Sequence, residues 1–195
     1  MKRKDTRQRL IDAGLKLFSE RGYLGAVTKD IAKEAGIAEV TLFRYFPSKE
    51  SLLEEVIKTY SFLPALKGLL REIDALPYKD ALTKIAERFL STLSERKELI
   101  RIMHSEIPKY PSKTRQIYHG LINETFTTLA SYFSEQEKKG VLRRFEPRYG
   151  ARAFLGMFFS LFTSQELMLR KKLSKQESKK IIAELVEIFA KGTLK

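Results

Sequence analysis

The chain has 195 residues, with 37 Lys+Arg against 24 Asp+Glu, two histidines and no cysteine. At 43% hydrophobic and 31% charged residues it has the composition of a folded domain, and a chain of this size buries roughly 70% of its unfolded surface. The absence of cysteine excludes disulfide scaffolds, thiolate metal sites and cysteine nucleophiles. With only His104 and His119 besides, neither a metal centre nor a cofactor is expected. A formal charge of +13 points to a polyanionic partner, either nucleic acid or an acidic membrane surface.

Taken in chain order, the basic stretch Met1 to Arg9 is followed by no apolar run of signal-peptide length. The most apolar window, Ala153 to Phe162, spans ten residues, about half what a membrane-spanning helix needs. A cytoplasmic protein with no membrane partner is expected. Strand signals are nearly absent, whereas apolar residues recur at helical spacing throughout: Leu10, Gly14, Leu17 and Phe18, then Leu52, Val56 and Tyr60, then Ile85, Phe89 and Leu93. The breakers between these stripes predict an all-α fold of about nine helices. Residues 1–49 carry 11 Lys+Arg and 6 acids, nearly twice the net positive density of the remainder.

Within that basic head three short helices are expected. Asp5 or Thr6 caps the first and Arg21-Gly22 ends it; Thr28 caps the second, which closes before Gly36; the third runs from about Ala38 to Phe46. Two short helices joined through a glycine turn form a helix-turn-helix pattern, and an ordinary helical hairpin has the same signature. The third helix offers Glu39, Val40, Thr41, Phe43, Arg44 and Tyr45. These supply acceptor, methyl and guanidinium groups for base edges and a hydroxyl for phosphate. Ser48 caps a fourth helix, which sets Lys49 beside free backbone N–H groups as a phosphate site, and Thr28 with Lys29 starts the second helix in the same way. Lys2, Arg3, Lys4 and Arg7 form a basic arm suited to the DNA backbone or a minor groove.

The run Gly36-Ile37-Ala38-Glu39-Val40-Thr41-Leu42-Phe43-Arg44-Tyr45-Phe46-Pro47-Ser48-Lys49-Glu50-Ser51-Leu52 closely resembles the signature of TetR-type transcriptional regulators. So does Leu17 to Tyr23 with Val27 to Ala32. The resemblance covers about residues 6–55. It departs from the family pattern at Ala38, where Ser or Thr is common, at Val40, where a small residue, often Gly, is frequent, and at Phe43, which is often Tyr. It implies a one-component regulator, most often a repressor, that binds a palindromic operator as a homodimer and is released by a small-molecule effector, with a DNA-binding domain at 1–47 and an effector-binding and dimerisation domain at 48–195. The rival from the composition alone is a non-specific basic architectural DNA-binding protein. No glycine-rich phosphate loop, Gly-x-Ser-x-Gly or His-Glu-x-x-His motif is present, so an enzyme is not expected.

In the body, Phe62, Phe89, Met103, His104, Tyr118, Ile122, Phe126 and Phe158 are candidates to line an apolar effector cavity. The helix from about 147 to 171 is apolar around much of its girth, and the helix from about 175 to 191 repeats Ile181, Leu185, Ile188 and Phe189. Apolar residues beyond one stripe suggest a second buried face. Phe158, Phe162, Ile181, Leu185 and Phe189 are therefore the expected dimer surface.

Overall fold

A computed structural model describes residues 5–106 and 112–195, without the side chains of 102–106, 113 and 114. Lys2, Arg3 and Lys4 and the side chains of Met103 and His104 thus lie outside the described residues. The chain is all-helical as expected, and its one β-type pairing among the described residues is an isolated bridge, Leu142 to Leu194. No helix among them is long and apolar enough to cross a membrane. The helices form two compact units: residues 1–60 with 98–121, and residues 61–97 with 122–195.

The first unit contains α1 (Thr6–Gly25), α2 (Thr28–Glu34), α3 (Glu39–Tyr45) and α4 (Lys49–Tyr60). α1 is interrupted at Gly22, whose φ of 74° and ψ of 173° end the regular helix where Arg21-Gly22 is expected to end it. Asp5 holds the N-cap position but its side chain makes no capping bond. Thr28 is the first residue of α2, not its cap; Val27 holds that position and its alkyl side chain has no acceptor to offer, while the Thr28 hydroxyl bonds elsewhere. Leu10, Phe18, Ile31, Leu42, Leu52 and Val56 are all but fully buried in one core. Gly14 lets α1 and α4 approach: a Cβ there would stand 3.0 Å from Val56 Cγ2. Since Leu52, Leu53, Val56 and Ile57 belong to this core, the division falls after Tyr60, where Ser61 caps the next helix, and not at the expected boundary after Pro47.

The second unit holds α5 (Phe62–Glu72), α6 (Tyr78–Glu95), the C-terminal part of α8 (Ser112–Lys138), α9 (Pro147–Phe162), a π-helical extension Thr163–Met168, and α10 (Lys175–Thr193); α7 (Lys97–Glu106) lies almost wholly in the first unit's share of the chain. Ser174 and Glu177 close a capping box at the start of α10. Phe133 is the hub of the core. Its ring lies 5.6 Å from Phe189, 6.0 Å from Phe145 and 6.5 Å from both Phe154 and Tyr78. Phe154 in turn packs on Phe158 at 5.2 Å and on Phe189 at 5.0 Å. Such pairs add about 0.5–1.5 kcal/mol each beyond the area they bury.

This packing corrects the expected dimer surface. Phe158, Phe162 and Phe189 are buried inside a single chain. α9 and α10 both pack against α6, which turns Phe154, Phe158 and Phe162, with Ile182, Val186 and Phe189, inward. Ile181 and Leu185 stay half-exposed and Ile188 is 62% exposed, forming an outer stripe on α10.

Tyr78 OH shares a hydrogen bond of 3.1 Å with Thr193 Oγ1 in this core, and burial pushes its phenol up to about 12. Between the unfolded value near 10 and the folded value the native state holds the proton more tightly, so stability is intact below about pH 10 and falls as pH rises toward 12. Alkaline unfolding followed by circular dichroism is expected to lose about 2 kcal/mol over that window. Tyr78→Phe is expected to keep the fold at neutral pH with a loss of about 1 kcal/mol and to flatten the alkaline fall.

Candidate nucleic-acid interface

The segment Thr28 to Lys49 is built around one turn. Gly36 sits at φ 66°, and Ile37 N donates to Ala32 O at 3.0 Å, so the chain reverses at the end of α2. Arg9, reaching from α1, places its guanidinium on the last carbonyls, donating to Ala35 O and, at 3.1 Å, to Gly36 O. A cation on helix-terminal carbonyls satisfies acceptors that have no partner within the helix. Two further ion pairs fix α2 against α1, Arg21 to Asp30 at 2.6 Å and Lys16 to Glu34 at 2.7 Å. Arg9 thus braces the turn, a role its place in the basic N-terminal stretch does not reveal.

The N-termini of α2 and α3 are joined by Thr28 Oγ1 donating to Glu39 Oε1 at 2.6 Å. Two expected DNA contacts thereby satisfy each other. Leu42 is fully buried and anchors α3, while Val40 at 71%, Phe43 at 44% and Tyr45 at 43% exposure, with Arg44, face outward. Thr41 is half-buried and Lys29 is exposed. Five of the expected residues, Lys29, Val40, Phe43, Arg44 and Tyr45, are therefore presented to solvent from this segment.

Lys49 is placed differently from the expectation. Ser48 and Ser51 cap the start of α4 reciprocally, each backbone N–H donating to the other's hydroxyl. The Lys49 ammonium turns back instead, donating to Ala26 O at 2.9 Å and lying 4.4 Å from the centre of the Tyr23 ring. Tyr23 OH completes the lock by donating to Glu50 Oε1 at 2.5 Å. Burial lowers the Lys49 ammonium, and the Tyr23 hydrogen bond holds the Glu50 carboxyl low. Arg7 likewise leaves the expected arm to pair with Glu55 at 2.9 Å and to lie over the Phe46 ring.

The candidate effector residues with described side chains fall in both units. Phe62 and Phe89 pack ring to ring at 4.8 Å, Phe158 is fully buried against Phe154, and Phe126 lies half-buried beneath the Arg152 guanidinium at 4.8 Å. Ile122 is half-buried in the same unit, whereas Tyr118 packs on the core of the first and His119 is exposed. A pocket of about 440 Å³ in the second unit is lined by other residues, among them Glu87, Glu95 and Glu166 with Lys172, Lys175 and Lys179.

A glycine-turned helix pair, braced by a long first helix and presenting an exposed, partly basic third helix, defines a helix-turn-helix DNA-binding protein. Residues 10–56 match the model of bacterial regulatory proteins of the tetR family, and residues 80–192 match the C-terminal domain of AefR-like transcriptional repressors. The chain belongs to the TetR family of transcriptional regulators. It is similar to the uncharacterised HTH-type regulator YvkB of Bacillus subtilis (strain 168), 27% identical over 96% of both chains. It is also similar to the repressor KstR2 of Rhodococcus jostii (strain RHA1), 36% identical over 66% of this chain and 58% of that one. A TetR-family regulator from Mesorhizobium loti MAFF303099 shares the fold with a TM-score of 0.83, 23% identity and 97% coverage of each chain.

Two substitutions test this frame. Gly36→Ala forces a Cβ to within 2.8 Å of Arg9 Nη2 in a left-handed conformation, and a loss of about 1–2 kcal/mol is expected by thermal melting. Lys49→Met keeps the length of the stem but loses the Ala26 hydrogen bond and the ring contact. A loss of about 1–2 kcal/mol is expected, and an unchanged melting curve would return Lys49 to a solvent-facing role.

Proposed function

We propose that this regulator is a homodimeric repressor: two heads engage the half-sites of a two-fold-symmetric operator, and a small molecule taken up by the body weakens that binding. The observation that carries the reading is the orientation of α3, whose buried Leu42 leaves Val40, Phe43, Arg44 and Tyr45 outward on the helix that the family resemblance assigns to the major groove. Lys29 and the Tyr45 hydroxyl serve phosphates, Thr41 and Arg44 reach base edges, and Thr28, Glu39 and Lys49 hold the frame rather than read bases. The similarity to a named repressor supports the sign of control.

Dimerisation is assigned to the outward stripes of the last helices in place of the buried phenylalanines. On α10 these are Ile181, Leu185 and Ile188; on α9 they are Tyr149, Ala153, Met157 and Leu161, with Gly156 and Ser160 exposed between them. Small residues at such positions allow close helix approach, and a two-fold axis buries the same stripe twice. An effector releases the operator only as far as it binds the non-binding state better. Mass spectrometry of small molecules that co-purify with the protein identifies it.

Selection from random duplexes is expected to enrich a palindrome; enrichment of no sequence supports the architectural rival. Affinity for the enriched site is expected to fall by roughly 10³–10⁵ between 50 and 200 mM salt if about six to ten phosphates are neutralised. Ile188→Glu is expected to sediment as a folded monomer and to lose operator affinity by at least tenfold. A folded dimer with full affinity would move the interface elsewhere.

A further inference from the structure

The outer face of the recognition helix is unusual in what it lacks. Its first turn contains Glu39, the one carboxylate in α3, and that group is tied to Thr28 at 2.6 Å. The preceding cap is Ala38, with no side-chain bond to offer. The most exposed side chain in the first turn of α3 is alkyl, Val40 at 71%, beside the half-buried Thr41, with Val27 at the cap of α2 also exposed, at 49%. The Thr28–Glu39 bond links the residues that follow Val27 and precede Val40, so the two valines flank it. Phe43 continues the face one turn on.

An exposed valine on a seven-residue helix gains nothing for the fold, because Leu42 supplies the anchor. The N-terminal residues of a recognition helix are those that meet base edges. In the major groove the apolar feature of a base pair is the C5-methyl of thymine, and aliphatic side chains contact it. Resting on the operator reading above, we infer that Val40 is a specificity-determining residue that reads a thymine methyl group in each half-site. On this reading Val40 discriminates by methyl burial, beside the polar contacts assigned above to Thr41 and, one turn further along, Arg44.

The test uses the full chain and the duplex enriched from random sequence. Each thymine is replaced in turn by deoxyuridine, which removes the methyl and leaves pairing intact. Symmetric replacement at one thymine position per half-site is expected to weaken binding about three- to fourfold for each methyl lost, the equivalent of one buried methylene, and about tenfold for the pair. Val40→Ala is expected to weaken binding to the thymine operator by a similar factor and to cut the deoxyuridine penalty at that position to less than twofold. The site is exposed, so thermal melting of Val40→Ala is expected to match the parent. Deoxyuridine neutral at every position, or a penalty undiminished in Val40→Ala, would overturn the inference while leaving the operator reading intact. Failure to enrich any duplex would overturn both.

Discussion

The reversal at Gly36 is the constraint on which the DNA-facing surface depends. α2 and α3 are seven residues each, too short to be stable alone. They persist because the turn between them lets Ile31 and Leu42 share one buried core. A left-handed φ at the turn frees the last carbonyls of α2 from their own helix, and an arginine from α1 takes them up. The head is in this sense not a two-helix motif with a supporting neighbour. α1 closes the helix end, supplies both ion pairs to α2 and packs through Gly14 against α4, so the orientation of α3 is fixed by contacts from α1, α2 and α4 together.

That arrangement also sorts the polar groups. Side chains that the chemistry of a helix N-terminus would aim at phosphate or bases are drawn into internal bonds: Thr28 to Glu39, Lys49 to Ala26, Arg7 to Glu55. The cost in potential contacts is offset by rigidity, since each bond holds a segment that has little core of its own. The outward face keeps Lys29 and Arg44 for charge and Val40 and Phe43 for shape.

How much of this was legible in the sequence follows from what periodicity carries. Spacing and breakers located the helices and the turn, and the stripes through Leu10, Leu17 and Phe18 and through Leu52 and Val56 mark the buried faces because helical register makes them self-evident. The same periodicity could not say which apolar stripe of α9 or α10 faces its own chain. Phe158 and Phe189 read as surplus until the Phe154 ring is seen to join them, 5.2 Å from Phe158 and 5.0 Å from Phe189, with Phe133 packed on both Phe154 and Phe189 from more than twenty residues earlier in the chain. Lys49 was misplaced for a related reason. Its spacing shows a cation at a helix start, but the Ala26 carbonyl and the Tyr23 ring that capture it come from a different helix end. The π-helical stretch after Phe162 left no sequence mark that a helical stripe would not also leave.

The size of a methyl contact then bears on what the proposed pairing of two heads adds. A net charge of +13 gives any duplex substantial affinity through phosphate neutralisation, and that term carries no sequence information. Discrimination must come from the outer face of α3, where a bidentate hydrogen-bonded pair is worth about 1–3 kcal/mol and a buried methyl only about 0.8. On the proposed reading, a single head with one alkyl contact, Thr41 and one guanidinium therefore separates its site from random DNA by a modest factor. If the proposed dimer holds two identical heads at a fixed spacing, the free energies add and the ratio is squared, which turns roughly a hundredfold preference into roughly ten thousandfold. The same multiplication makes the spacing a control point. On the proposed mechanism, a change in the body that moves one head out of register forfeits the second factor without altering any contact on α3, so the chemistry of recognition and the chemistry of release can reside in different residues.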